Sequence, residues 1–207
     1  MSIPSACLVV AGPSGVGKST LINLALAANP RWLFSVSATT RAPRAGEADG
    51  REYYFLSAAE FEQRVNSGEF LEYAEVYGNL YGTPRAELER AQQQGRHLLI
   101  EVDSVGCLSI HAVRPDIPLL AVLPPSMSAL KQRLHARGTE SVDSLKRRFA
   151  QAVAELSRMR GFDFAIVNDD LLTAQAQLLN LMQILEQGQL RVAENVDRLL
   201  SEAGGVS

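Results

Sequence analysis

The 207-residue sequence has few of the residues that build disulfide frameworks or zinc sites. Its two cysteines, Cys7 and Cys107, lie far apart and have no CxxC spacing. The three histidines, His97, His111 and His135, are scattered and form neither an HxxxH nor an HExxH pattern. These absences argue against a disulfide-stapled secreted domain and a zinc enzyme, and they favour the reducing cytoplasm.

Long apolar runs and an excess of positive charge are also missing. No stretch approaches the roughly 20 apolar residues that span a bilayer, and the first residues lack the charged start of a signal peptide. The 20 Lys and Arg residues against 23 Asp and Glu residues give a net charge of -3. We therefore expect no nucleic-acid or membrane partner, and the choice between monomer and homo-oligomer stays open.

The hydrophobic pattern predicts an α/β fold. Short, continuous apolar runs alternate with helical patterns, which is typical of parallel strands joined by crossover helices. The runs expected to form core strands cover residues 6–11, 97–103, 119–123 and 164–167. The composition, 46% hydrophobic and 21% charged, is that of a folded globular domain.

Residues 33–94 differ from the rest of the chain in their pattern of short strands, loop residues and helix caps, which predicts an inserted α+β subdomain. Strands are expected at 34–38 and 52–56, around a loop rich in Pro, Gly and Arg. A capping box at Ser57 to Glu60 predicts a helix that ends near Gly68, and Thr83 with Pro84 predicts the start of another. The expected division is a core of residues 5–32, 95–125 and 161–186, an insert of 33–94, a helical lid of 126–160, and a C-terminal helical tail of 187–207.

One motif points directly to chemistry. Residues 12–19 fit the phosphate-binding pattern G-x-x-x-x-G-K-[ST] and lie between a predicted strand and a predicted helix. In such a loop, backbone N–H groups cradle the phosphates, Lys18 lies between the β- and γ-phosphates, and the Ser19 hydroxyl can ligate Mg²⁺. The alternative, a merely glycine-rich turn, leaves Lys18 and Ser19 unexplained. The fold class indicated is therefore a P-loop NTPase-type parallel sheet.

Further charged groups fit a phosphate site. Glu101 and Asp103 end the strand expected at 97–103 and lie on one side of it, where they could hold a metal-bound water or a second substrate, or simply face solvent. Arg41 and Arg44 lie in a loop with neighbouring hydroxyl groups. In the predicted lid, six cations face two anions: Lys131, Arg133, Arg137, Lys146, Arg147 and Arg148 against Glu140 and Asp143. Both basic regions suit phosphate binding, and both are also compatible with an ordinary basic surface.

Taken together, these segments closely resemble guanylate kinase, over residues 5–186 and without large gaps. The resemblance is carried by residues 12–20, 35–47, 50–53, 70–83, 137–140 and 166–170. It implies a cytoplasmic, Mg²⁺-dependent enzyme of purine metabolism that transfers the γ-phosphoryl group of ATP to GMP, and we expect dGMP to be accepted too. A catalytically silent binding module would have a degenerate P-loop, and a kinase for another acceptor would not need Glu72 with Ser37 and Thr83.

The resemblance also assigns the site residues. It implies that ATP is bound by Gly12, Pro13, Ser14, Gly15, Val16, Gly17, Lys18, Ser19, Thr20, Arg133, Arg137 and Asn168, with Asn168 beside the adenine. It implies that the GMP phosphate is held by Arg41, Arg44, Tyr53 and Tyr81, and that the guanine is read by Ser37, Glu72, Thr83 and Asp103. Lys18, Arg41, Arg137 and Arg148 would be catalytic. The chain departs from the usual Asp-Ile-Asp-x-Gln-Gly at Glu101, which is one methylene longer, and at Val105.

Overall fold

A computed structural model describes residues 5–135 and 142–188. Arg137, Glu140 and the part of the predicted tail beyond residue 188 lie outside the described residues. The strands are β1 (Cys7–Ala11), β2 (Trp32–Phe34), β3 (Ser37–Thr39), β4 (Tyr53–Phe55), β5 (Phe70–Val76), β6 (Asn79–Pro84), β7 (His97–Glu101), β8 (Leu119–Leu123) and β9 (Phe164–Val167). The helices are α1 (Lys18–Ala28), α2 (Ala58–Asn66), α3 (Ala86–Gln93), α4 (Ser104–Val113), α5 (Met127–His135), α6 (Val142–Arg158) and α7 (Leu171–Glu186).

The four apolar runs form a parallel sheet, as the sequence predicts. The strand order is β2-β7-β1-β8-β9, and every neighbouring pair is parallel. Alternate residues of β1 point to opposite faces, so Leu8 and Val10 pack with α1 and α7 while Val9 packs with α4. Because both faces are covered, the strands are largely apolar, and the predicted fold class is confirmed.

A second sheet is formed by β3 to β6, the strands that lie between β2 and β7 in the sequence. Its order is β4-β3-β6-β5, with antiparallel β5–β6 and β6–β3 pairs. Helix α2 covers it through Phe61, whose ring stacks on that of Phe70 with centroids 4.6 Å apart. The capping box that predicts this helix is present: the Ser57 hydroxyl accepts from the Glu60 N–H, and the Glu60 carboxylate accepts from the Ser57 N–H at 2.8 Å.

Two local predictions were wrong. The run at 34–38 is two elements, because Phe34 ends β2 in the central sheet and Ser37 begins β3 in the second sheet. Thr83 and Pro84 do not begin a helix, because they end β6, where they pair with β5, and α3 begins at Ala86. Cross-strand pairing outweighs the local capping signal here.

In the ranges 5–135 and 142–188, none of the helices combines the length and the hydrophobicity of a bilayer-crossing segment.

Candidate active site

The glycine-rich motif folds as a tight loop between β1 and α1. Gly15 and Gly17 have φ angles of +87° and +90°, a left-handed conformation that favours glycine. The Val16 N–H donates to the Pro13 carbonyl at 3.1 Å, and Gly17 stands at the N-terminus of α1. Backbone N–H groups and the positive end of α1 therefore meet at the carboxyl edge of the sheet, where an anion is favoured.

A buried asparagine supports this loop from behind. Asn168 is only 5% exposed, and its amide donates to the Val16 carbonyl at 2.8 Å. Arg133 donates to the Asn168 carbonyl at 2.9 Å and to the Val16 carbonyl at 3.4 Å. Both residues were assigned to ATP from the sequence, and both hold the backbone of the loop; their contact with ATP stays a prediction.

Lys18 is the cation at the centre of the loop. Its ammonium donates to the Gly12 carbonyl at 3.2 Å and lies 3.4 Å from a carboxylate oxygen of Glu101. Glu101, where the sequence departs from the usual aspartate, is therefore a direct counter-ion of Lys18. Ser19 and Thr20 follow in the first turn of α1, and both are exposed.

One cavity of about 560 Å³ connects the loop with the second sheet. Its lining includes Lys18 and Ser19 on one side and Ser37 and Tyr53 on the other, with Glu101 and Asp103 between. Further lining residues are Gly12, Pro13, Ser14, Gly15, Gly17, Phe34, Ser35, Glu52, Val102 and Glu155. Residues that the sequence assigned to two different nucleotides thus border the same space.

Next to this cavity lies an arginine that is held on several sides. Arg41 Nη2 lies 2.9 and 3.0 Å from the two carboxylate oxygens of Glu47, and Arg41 Nη1 donates to the Ala42 carbonyl at 2.7 Å. Its guanidinium carbon is 5.4 Å from the centroid of the Tyr53 ring and 5.8 Å from that of Phe55. The hydrogen bond to Glu47 is the main reason that the pKa of Arg41 is raised.

The other residues expected at the GMP phosphate lie around this arginine. The Tyr81 and Tyr53 rings have centroids 6.0 Å apart, and a hydrogen bond to Tyr81 adds to the rise in the pKa of Arg41. The Arg44 side chain is exposed, and its backbone N–H donates to Glu47 at 2.7 Å.

The carboxylate expected to read guanine is fixed by the second sheet. Glu72 and Thr83 pair across β5 and β6, and the Thr83 hydroxyl donates to Glu72 Oε1 at 2.6 Å. Burial raises the pKa of Glu72, and nearby Asp103 adds to this while the Thr83 hydrogen bond opposes it. Thr83 therefore holds Glu72 in place, and its hydroxyl hydrogen is engaged in that hydrogen bond.

Asp103 has a structural role as well as a place in the cavity. Its carboxylate accepts the Gly106 N–H at 2.7 Å and so caps the N-terminus of α4. The expectation that Glu101 and Asp103 reach the same space agrees with their common place in the cavity lining.

The described part of the predicted lid brings α6 to the P-loop. Arg148 donates to the Ser14 hydroxyl at 2.9 Å. Glu155, about two helical turns further on, lines the cavity, and burial raises the pKa of its carboxyl while Lys18 opposes the rise. Sequence reasoning missed Glu155 and Glu47, although the helical spacing from Arg148 and the position of Glu47 in the arginine-rich loop were available signals.

A metal in this cavity would depend on the nucleotide for most of its ligands. No group of three or more His, Cys, Asp or Glu side chains able to hold a metal occurs within the described ranges. A serine hydroxyl beside a phosphate cradle, with carboxylates nearby, fits Mg²⁺, which keeps several waters and binds through phosphates. Ser19, which the sequence predicts as the metal ligand, lines this cavity.

Comparisons with known proteins point in one direction. A family model described as guanylate kinase matches residues 5–185. The chain is 45% identical over 200 residues to a guanylate kinase from Symbiobacterium thermophilum, covering 97% of this chain and 95% of that protein. It is 44% identical over 181 residues to one from Synechocystis, covering 87% and 95%. The crystal structure of guanylate kinase from Anaplasma phagocytophilum matches with a TM-score of 0.71 and 28% identity, over 100% of this chain and 98% of that one.

Proposed function

Because the chain belongs to the guanylate kinase family, we propose that it transfers the γ-phosphoryl group of ATP to GMP inside the cavity between the P-loop and the second sheet. The observation that carries this proposal is the cavity lining, in which Lys18 and Ser19 face Ser37 and Tyr53 across one space. Two phosphates held in one cavity can react in line, without a covalent enzyme intermediate.

At the ATP end, the P-loop holds the β-phosphate with its backbone N–H groups, and Lys18 follows the transferred group. An ammonium on a flexible stem suits this task, because it is a point charge that can move with the phosphoryl oxygens. A Mg²⁺ ion bound here would supply positive charge to offset the negative charge of the ATP phosphates. Ser19 would ligate the metal, and Glu101 or Asp103 would hold its waters.

At the GMP end, Arg41 binds the phosphate together with Arg44, Tyr53 and Tyr81. The planar guanidinium matches phosphate oxygens with parallel hydrogen bonds. Because Arg41 already has Glu47 and aromatic neighbours, it meets the phosphate in a fixed orientation.

Glu72 selects guanine over adenine. The ring N–H and the exocyclic amine of guanine are donors that match a carboxylate, whereas adenine presents an acceptor on the same edge. With adenine in the site, an oxygen of this partly buried carboxylate would face an acceptor instead of a donor, which is costly. The hydrogen bond from Thr83 supports a role for that residue in orienting Glu72, with Ser37 and Asp103 completing the base site.

We further propose that residues 33–94 act as a GMP-binding insert and residues 126–160 as a lid that closes over the phosphates and excludes water. Arg148 supports this, because it already links α6 to the P-loop. The free thiols of Cys7 and Cys107 suit a cytoplasmic enzyme.

A coupled assay of ADP release tests the proposal. The enzyme, ATP and Mg²⁺ are combined with GMP, dGMP, AMP, UMP or no acceptor, and the Lys18→Ala variant serves as the control. We expect rapid turnover with GMP and dGMP only, and loss of turnover when EDTA removes the metal. Equal rates with AMP would refute the base site, and metal-independent turnover would refute the role of Mg²⁺.

A further inference from the structure

The residue that holds Arg41 is itself anchored in the loop. Both carboxylate oxygens of Glu47 lie within 3.0 Å of Arg41 Nη2, and Oε2 also accepts the backbone N–H of Arg44 at 2.7 Å. The Glu47 N–H donates back to the Arg44 carbonyl at 3.1 Å. Glu47 is therefore part of the turn formed by residues 41–47, and its carboxylate has a fixed position relative to Arg41.

The pair is sheltered from water. The Arg41 and Glu47 side chains are only 16% and 17% exposed, although the surrounding loop is largely exposed. Hydrogen bonds from Arg41 and from the Arg44 backbone lower the pKa of Glu47, so it remains ionised at neutral pH. The ionised carboxylate of Glu47 can therefore orient the Arg41 guanidinium at neutral pH.

Arg41 still has donors to offer. A guanidinium has five N–H donors, of which Glu47 engages at most two, the Ala42 carbonyl one and the Tyr81 hydroxyl one. At least one donor therefore remains for a phosphate, and the Tyr81 hydroxyl can donate its own hydrogen to the same anion. The held conformation thus orients Arg41 without using up its binding capacity.

We propose that Glu47 is a positioning residue for the acceptor phosphate: acting through Arg41, it fixes the guanidinium in the orientation that GMP requires. The proposal rests on the proposed role of Arg41 in binding the GMP phosphate. In the opposite role, Glu47 would occupy the place of the GMP phosphate and GMP would have to displace it. Removing the charge of Glu47 would then tighten GMP binding instead of weakening it. The anchoring of Glu47 to the Arg44 backbone favours the positioning role, because displacing the carboxylate would also break its hydrogen bond from the Arg44 N–H.

The test compares Glu47→Gln with wild type by measuring dissociation constants for GMP, guanosine and a non-hydrolysable ATP analogue. Gln keeps the size of the side chain but removes the charge that orients Arg41. We expect GMP binding to weaken about tenfold, with guanosine and the ATP analogue changed by less than about twofold. The Glu62→Gln variant, which removes an exposed acid from the neighbouring α2, controls for the change in net charge.

A double-mutant cycle separates this proposal from the function on which it rests. Arg41→Ala should itself weaken GMP binding but not guanosine binding, and Glu47→Gln should add nothing in that background. If Arg41→Ala leaves GMP binding unchanged, the proposed phosphate site is wrong. If Arg41→Ala weakens binding but Glu47→Gln leaves it unchanged or tightens it, or weakens all three ligands equally, the positioning role is wrong.

Discussion

Two cations of the candidate site, Lys18 in the cavity lining and Arg41 next to the cavity, each lie beside a glutamate, but the two pairs differ in how firmly they are held. At the proposed ATP end, Lys18 lies 3.4 Å from Glu101 and donates to a single carbonyl. At the proposed GMP end, Arg41 has contacts of 2.9 and 3.0 Å to Glu47 and two aromatic neighbours. The donor-side cation is thus loosely paired, and the acceptor-side cation is fixed.

This difference matches the demands of the reaction. The γ-phosphoryl group moves during transfer, so the cation that accompanies it needs freedom to follow. The GMP phosphate must stay in place to attack in line, so its cation should be oriented in advance. The choice of lysine at one end and arginine at the other follows the physical properties of the two side chains.

Removing the mobile cation should have the largest effect. Lys18→Ala is expected to lower kcat about 10³-fold, because it removes the charge that stabilises the transferred oxygens. The melting temperature should stay close to that of wild type, since Lys18 is not part of the apolar core. A near wild-type kcat in steady-state assays would contradict the role of Lys18.

Changing the base-reading carboxylate should have the next largest effect. Glu72→Gln replaces an acceptor with a group that also donates, so kcat/KM for GMP should fall about 10²-fold while that for AMP does not fall. Thr83→Val, which removes only the hydrogen bond to Glu72, is the matched variant and should lose about tenfold. Unchanged discrimination between GMP and AMP would show that guanine is read elsewhere.

The fixed backbone of the P-loop can be tested through its glycines. A Cβ at Gly17 would lie 2.6 Å from the amide nitrogen of Asn168, whereas one at Gly95 would meet nothing within 4 Å. Both glycines have positive φ, so both alanine variants should lose about 1 kcal/mol from backbone strain. Gly17→Ala should lose at least 1 kcal/mol more in urea unfolding; equal losses would mean that Asn168 does not brace the loop.

Removing the charge of Glu101, and so the ion pair with Lys18, should have the smallest effect on turnover. Glu101→Gln removes a contact of 3.4 Å between partly exposed groups, which is worth little. We expect kcat to change by less than about threefold, measured at saturating ATP and GMP. A loss comparable to that of Lys18→Ala would show that Glu101 is essential to the reaction and would contradict the description of its contact with Lys18 as a weak, dispensable pairing.

The sequence predicts the central sheet well because its strands are buried on both faces. The runs at 119–123 and 164–167 coincide with β8 and β9, since continuous apolar stretches have no other favourable location. The Thr83-Pro84 prediction failed because a local cap signal does not record cross-strand partners. This is why short elements of the second sheet were harder to place.

The residues of the candidate site also differ in how well the sequence predicts them. The P-loop residues are contiguous, and their conformation follows from glycines within the motif itself. The holding role of Asn168 depends on a neighbour brought close by the fold, since its contact with Val16 spans 152 positions. Spacing along the chain predicts which residues contact phosphate, but not a distant residue that holds the loop in place.

The most direct test of a shared cavity is an initial-rate measurement over a grid of ATP and GMP concentrations. If both nucleotides must be bound together for direct transfer, the double-reciprocal plots intersect, and no phosphorylated enzyme accumulates when ATP is supplied alone. Parallel lines together with a trapped phosphoenzyme would indicate two separate half-reactions and would contradict the account.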